Sequence, residues 1–224
     1  LGKWNLVDGR TDLFAGGATM LNLLTGVLPP TAGDVFLGGE CITGLAQHER
    51  VKRGVTRTFQ INTLFHGLTV LESVVLAICE RNGTATTWHR TVAQQRTQVD
   101  EAFEILKPLH LERDADTVTR NLPYGKQRLV EIALALATRP RILLLDEPAA
   151  GIPAAESAEL FGVLAALPRD VTILFIEHDM GLVFRFAERI AVLVGGRFLV
   201  EGTPAEIAAD SRVKEVYLGE AQLG

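Results

Sequence analysis

The clearest pattern lies in the second half of the chain, where short apolar runs take turns with segments whose apolar residues recur every three or four positions. A helical stretch from Lys126 to Ala137 leads into the apolar run Ile142 to Leu145. Helix Ala154 to Leu167, the run Thr172 to Ile176, helix Met180 to Arg189 and strand Ile190 to Val194 follow. The runs beginning at Ile142 and Thr172 show no in–out alternation, as expected of strands covered on both faces in a parallel sheet. Strand and helix in regular succession predict an α/β fold with a layered core. From Leu68 to about Leu111 the period is helical, carried by Val70, Val74 and Ala77 and then by Val99, Ala102, Phe103 and Leu106. Arg81 to Gln98 is polar, with Trp88 its only large apolar residue, and reads as part of a helical, partly exposed insert. Ahead of it, Leu21 to Val27 reads as helix broken by Pro29, Pro30 and Gly33, and Asp34 to Ile42 as a strand bent at Gly38–Gly39.

Composition narrows the classes. A chain of 224 residues that is 47% hydrophobic and 22% charged suits one domain, or one core with a small subdomain. A formal net charge of −5 argues against nucleic acid as a partner. Cys41 and Cys79 form no CxxC and are expected to be reduced, buried and apolar in behaviour. No apolar run nears the roughly 20 residues that span a bilayer. No basic start precedes an apolar stretch either, so the expectation is a cytoplasmic protein that reaches a membrane only by docking on other subunits. The chain opens on Leu1, and its beginning is expected to be incomplete or processed.

Candidate chemistry sits where the strands end. Leu143-Leu144-Leu145-Asp146-Glu147-Pro148 delivers two adjacent carboxylates to the carboxyl end of a buried strand, where open α/β sheets bind ligands. Neighbouring side chains on a strand point opposite ways, so Asp146 could hold Mg²⁺ while Glu147 orients or deprotonates a water. An acidic strand end facing solvent would look the same by itself. Ile173 to Asp179 ends a second buried strand in Glu177-His178-Asp179, which should bring His178 to the same edge. Asn121 to Arg128 places Gly125 at a helix start, where free N–H groups make an anion site. Arg57-Thr58-Phe59-Gln60 puts a glutamine after a short strand-like piece.

In this order the pieces resemble the nucleotide-binding domain of ABC transporters, from about Ala15 to the C-terminus. By that resemblance Gln60 matches the Q-loop and Leu122 to Gln127 the signature motif. Asp146 matches the Walker B acid, Glu147 the catalytic carboxylate and His178 the switch histidine. The segments Arg57 to Gln60, Leu64-Phe65, Leu68 to Glu72, Asp146 to Gly151, Ile176 to Met180 and Arg212 to Gly219 resemble the leucine/isoleucine/valine uptake ATPases.

The resemblance implies a P-loop NTPase-like parallel-sheet core (1–60 and 138–224) and a helical subdomain (61–137), within one domain of 1–224. The N-terminal β part reads as small and incomplete. It further implies ATP and Mg²⁺ as cofactors. Gly16, Gly17, Ala18, Thr19, Gln60 and Asp146 would line this chain's site, and Asp146 and Gln60 would hold the metal. Leu122, Tyr124, Gly125 and Gln127 would complete the site of a partner. The implied partners are a second ATPase subunit, identical or different, transmembrane permease subunits and, indirectly, an extracytoplasmic solute-binding protein. The implied location is the inner face of the cell membrane.

The sequence departs from the family in its phosphate loop, G-x-x-x-x-G-K-[ST]. Thr11 falls at the first Gly, Gly16 at the second, Gly17 at the Lys and Ala18 at the Ser/Thr, so the cation and the metal-binding hydroxyl are both missing. Thr19 could supply a hydroxyl only if the loop shifted register. Leu1 to Arg10 reads as too short for the usual leading strands, and Trp4 as a packed surface residue rather than an adenine-stacking one. Pro123 replaces the signature Ser, and Pro153 stands where Asn or Asp is expected. Two expectations follow: a transport ATPase, or a catalytically impaired nucleotide-binding or scaffold subunit.

Overall fold

The computed structural model describes residues 3–8, 16–58, 65–84 and 96–218. Its centre is a six-stranded sheet of β1 (Lys3–Asp8), β4 (Val55–Arg57), β5 (Ile142–Asp146), β6 (Thr172–Ile176), β7 (Arg189–Val194) and β8 (Arg197–Gly202), in the order β4-β5-β6-β1-β7-β8. All neighbours run parallel except β7 and β8, which form an antiparallel pair. A separate ribbon joins β2 (Phe36–Leu37) to β3 (Glu40–Cys41) through Gly38 and Gly39, both at positive φ. This is the bend expected within Asp34 to Ile42.

The unbroken apolar runs serve two cores. Leu143 and Leu145 join Ile173, Phe175, Ile190 and Val192 on one face of the sheet. Helices α3 (Val70–Arg81), α4 (Arg96–Leu106), α5 (Tyr124–Ala137), α6 (Ala154–Ala166) and α7 (Met180–Phe186) contribute to that core. Leu144, Ile176 and Leu193 face the other way and meet Leu21, Leu37, Ile42 and Val55. Because β-residues alternate sides, no position of such a strand can be polar until the sheet edge is reached. Removing each of these leucines from water contributes roughly 1.5–3 kcal/mol.

The second face is covered by α1 (Gly16–Thr25) and α2 (Gln47–Lys52). Helix α1 begins before the Leu21 to Val27 segment that periodicity marks, and ends at Thr25, followed by Gly26 with φ +78°. Buried Arg50 of α2 closes that end, donating to the carbonyls of Leu23 (2.7 Å) and Leu24 (2.9 Å). It donates also to Thr43 (2.7 Å) and Leu45 (3.1 Å). Only glycine fits at 26, since a Cβ there would lie 2.8 Å from Arg50 Nε.

Other elements follow local rules. Thr69 caps α3 reciprocally with Glu72: Glu72 N–H donates to Thr69 Oγ1 (3.2 Å), and Thr69 N–H to Glu72 Oε2 (2.8 Å). Thr203 and Glu206 repeat the device at α8 (Pro204–Ala209). Arg81 and Glu101 make a two-pronged pair at 2.8 Å between α3 and α4, chiefly responsible for holding the Glu101 carboxyl below its ordinary pKa. Helix α9 (Ser211–Leu218) closes the described chain.

Residues 3–8 form one strand, β1, paired on both sides with β6 and β7 in the interior of the sheet. Two expectations are corrected. Helix α7 stops at Phe186 rather than Arg189, because Ala187 turns extended (ψ 138°) and Arg189 already pairs with β1. Cys79 is buried as expected, but Cys41 lies exposed on the β2–β3 ribbon, its Sγ 3.4 Å from Thr43 Oγ1. Trp88 lies outside the described residues.

Candidate nucleotide site

The ends of β5 and β6 meet as the sequence predicts. Asp146 pairs in register with Ile176, and the Glu147 N–H donates to the Ile176 carbonyl at 3.0 Å. Directly after the strand Glu147 takes φ +45°, a left-handed conformation rare and strained for a non-glycine residue. The chain turns sharply there, and Glu147 Oε1 comes to lie 2.7 Å from His178 Nε2. Both side chains remain accessible, at 37% and 51% exposure, so a water could reach the carboxylate.

Asp146 shares the parity of Leu144 and so faces α1. There it meets Arg57, which pairs in register with Leu144 and whose Nη2 donates to Asp146 Oδ2 at 2.5 Å. The other arm, Nη1, donates to Asn22 Oδ1 of α1 at 2.7 Å. Sequence reading quoted Arg57 only as part of a motif and gave neither Arg57 nor Asn22 a role. The available signal was one cation closing the short run Val55-Thr56-Arg57, beside the strand that carries Asp146.

Helix α1 starts at the carboxyl end of the sheet, following β1 after seven intervening residues that lie outside the described ones. Gly16 opens it, with Gly17, Ala18 and Thr19 in the first turn, whose N–H groups have no partner within the helix. Gly17 is buried against β6: a Cβ there would lie 2.9 Å from Ile176 Cδ1 and 3.0 Å from Cγ2. A side chain at the position aligned with the family lysine would have to displace the end of the Ile176 side chain. Gln60, Leu64 and Thr11 fall outside the described residues.

The signature segment forms the start of α5, which begins at Tyr124 rather than Lys126. Pro123 occupies the N-cap with no side-chain cap bond, as the loss of the serine hydroxyl implies. Leu122 is buried and its carbonyl accepts from Gln127 Nε2 at 2.8 Å. Gly125 lies against α6, where a Cβ would meet Glu156 Oε2 at 2.8 Å. Tyr124, 41% exposed, lies under the Arg128 guanidinium at 5.5 Å and beside Gly151, which has φ +77°.

A further residue missed in the sequence is Glu177, buried between the two loops. Its Oε1 accepts the Ala149 N–H at 2.8 Å, tying the segment after Glu147 to the segment before His178. Burial, more than the neighbouring Glu147 charge, raises its pKa above the ordinary 4.5. An acid whose pKa rises on folding contributes stability below its unfolded pKa, and that contribution is lost as pH rises through the folded value. Glu177→Gln keeps the acceptor and removes the charge. Its melting temperature should therefore gain on the parent as pH rises from about 4.5 toward about 7. Parallel melting curves across that range would refute the assignment.

A core of parallel strands, a helix that starts at the carboxyl end of the sheet after β1 and paired strand-end groups at one sheet edge suit a nucleotide-binding cassette. The family profile described as ABC transporter matches residues 15–150, and the chain belongs to that family. A second profile, described as branched-chain amino acid ATP-binding cassette transporter, matches residues 199–222. The chain is 40% identical over 214 residues to the high-affinity branched-chain amino acid transport ATP-binding protein BraF of Pseudomonas aeruginosa, covering 92% of this chain and 84% of that protein. It is 39% identical over 214 residues to LivG of Escherichia coli, a protein of the same description, with the same coverage. A solved structure of MJ1267, an ATP-binding cassette of an ABC transporter, superposes with a TM-score of 0.82 at 27% identity, over 96% of this chain and 87% of that one.

ATP is the ligand of this family, and the open first turn of α1 suits a phosphate group. The magnesium ion that ABC ATPases generally require fits less well. Asp146 is already paired with Arg57, Ala18 offers no hydroxyl, and the described residues hold no group of three potential acidic, His or Cys ligands. Among the described residues no helix is long and apolar enough to cross a membrane.

Proposed function

We propose that this chain is the ATP-binding subunit that powers an importer of branched-chain amino acids, as one of a pair of ATPase subunits docked on membrane permease subunits. The Glu147–His178 pair carries the reading: a carboxylate and an imidazole 2.7 Å apart at adjacent strand ends, on the sheet edge where α1 begins. In this reading the first-turn N–H groups of α1 hold the triphosphate, Glu147 orients and deprotonates the attacking water, and His178 fixes the carboxylate. Leu122, Tyr124, Gly125 and Gln127 face the nucleotide of the partner subunit. Residues 61–137 act as the helical subdomain, and Phe65, 49% exposed, anchors its contact with the permease.

Turnover at the site hosted here is slow, because Gly17 and Ala18 lack the cation and hydroxyl that the family uses. Loss of one preorganised charge stabiliser lowers a rate by about 10²–10³. The close packing of Gly17 on Ile176 favours a second reading, a nucleotide-binding or scaffold subunit that assembles without hydrolysing. One reconstitution separates them. In vesicles with branched-chain permease subunits and their solute-binding protein, the chain should support ATP-dependent uptake of labelled leucine. Stable assembly with ATP bound but no uptake would replace the first reading with the second.

A further inference from the structure

We propose that Arg57 takes the place of a divalent cation at Asp146, and that this chain binds its nucleoside triphosphate in metal-free form. The inference rests on the nucleotide-binding reading above and says which species that site accepts.

Mg²⁺ takes near-octahedral oxygen coordination, sheds water reluctantly, and binds through one or two carboxylates together with the substrate's phosphates. Here Asp146 accepts a charge-assisted hydrogen bond from Arg57 Nη2 at 2.5 Å, between side chains only 25% and 19% exposed. The guanidinium is not free to swing away, since Asn22 holds its other arm at 2.7 Å. Asn22 belongs to α1 and Asp146 to β5, so Arg57 links the helix that would hold the phosphates to the strand that carries the acid. A divalent ion at Asp146 would have to displace a fixed positive charge from a partly desolvated carboxylate.

Two departures in the phosphate loop agree with such a replacement. Ala18 offers no hydroxyl ligand. Gly17 offers no cation, and a Cβ there would lie 2.9 Å from Ile176 Cδ1, so a side chain at 17 would have to push the end of Ile176 aside. A site that has lost its mobile phosphate cation and its metal hydroxyl retains one rigid guanidinium, placed where the acid would otherwise repel phosphate oxygens. Arginine suits that role, since its planar fork makes two directed contacts and stays charged at every relevant pH.

The test is ATP affinity of the full chain, measured by calorimetric titration with excess EDTA and again with excess Mg²⁺. The two dissociation constants should agree within about threefold. Tightening by Mg²⁺ beyond that overturns the inference while leaving the nucleotide-binding reading intact. Absence of ATP binding in both buffers overturns the inference and that reading together. Arg57→Gln, which frees Asp146, should turn the binding Mg²⁺-dependent, by about fivefold or more. Continued indifference to Mg²⁺ in a folded Arg57→Gln protein would show that Arg57 is not what excludes the metal. The comparison on the unaltered chain stands even where that variant fails to fold.

Discussion

Glu147→Gln is expected to lower ATP turnover by about 10²–10⁴-fold, the range for losing a positioned general base. ATP should still bind, because the change removes no positive charge from the site. The amide keeps the size of the side chain and can keep the 2.7 Å contact to His178, so the loss reports the missing base rather than a collapsed loop. The left-handed backbone at Glu147 supports this, since the fold holds a strained non-glycine residue there and thereby aims its carboxylate at His178. The assay should use the assembled complex with the partner subunit's own catalytic carboxylate neutralised, so that only this chain's site reports. Turnover within about threefold of the parent would remove Glu147 from the chemistry.

Arg50→Met is expected to destabilise the protein by about 3–5 kcal/mol, the range for removing one member of a buried charged network. The side chain is 1% exposed and donates to four backbone carbonyls, two of them in the last turn of α1. The Leu23 carbonyl also accepts the Gly26 N–H at 3.3 Å, and the negative end of the helix dipole adds to the pull of both helix carbonyls on a cation. Methionine fills much of the space but takes the guanidinium donor away from all four carbonyls. Arg53, three residues on, is the control: it pairs with Glu40 at the surface, and Arg53→Met should change stability by no more than about 1 kcal/mol. Urea unfolding of both variants decides it. Equal, small losses would mean that the Arg50 network is dispensable. Because Arg50 closes the far end of α1, the loss should also weaken ATP binding at the near end.

Legibility in the sequence followed the range of the interactions. The unbroken runs Ile142 to Leu145 and Thr172 to Ile176 announced buried strands, and the polar groups that end them had to emerge at the edge of the sheet. The meeting of Glu147 and His178 could thus be foreseen from strand direction alone. Lys3 to Asp8 carried no comparable signal: six mixed residues become an interior strand because β6 and β7 offer them hydrogen-bonding edges on both sides. Gln60, read as a metal and Q-loop residue, lies outside the described residues. Glu177 was overlooked because its partner, Ala149, is a backbone N–H with no residue-type signature.

By itself the sequence determined the layered α/β class, the two strand ends that carry Asp146, Glu147 and His178, and the glycine and alanine at positions 17 and 18. These are matters of local period and residue identity, which neighbouring positions express without knowledge of the fold. Tertiary structure alone decided that Arg57 pairs with Asp146, that Ile176 packs beside Gly17, and that Arg50 caps α1 from another helix. Each of those joins residues far apart in the chain, and side-chain reach across packed elements, not periodicity, sets such contacts.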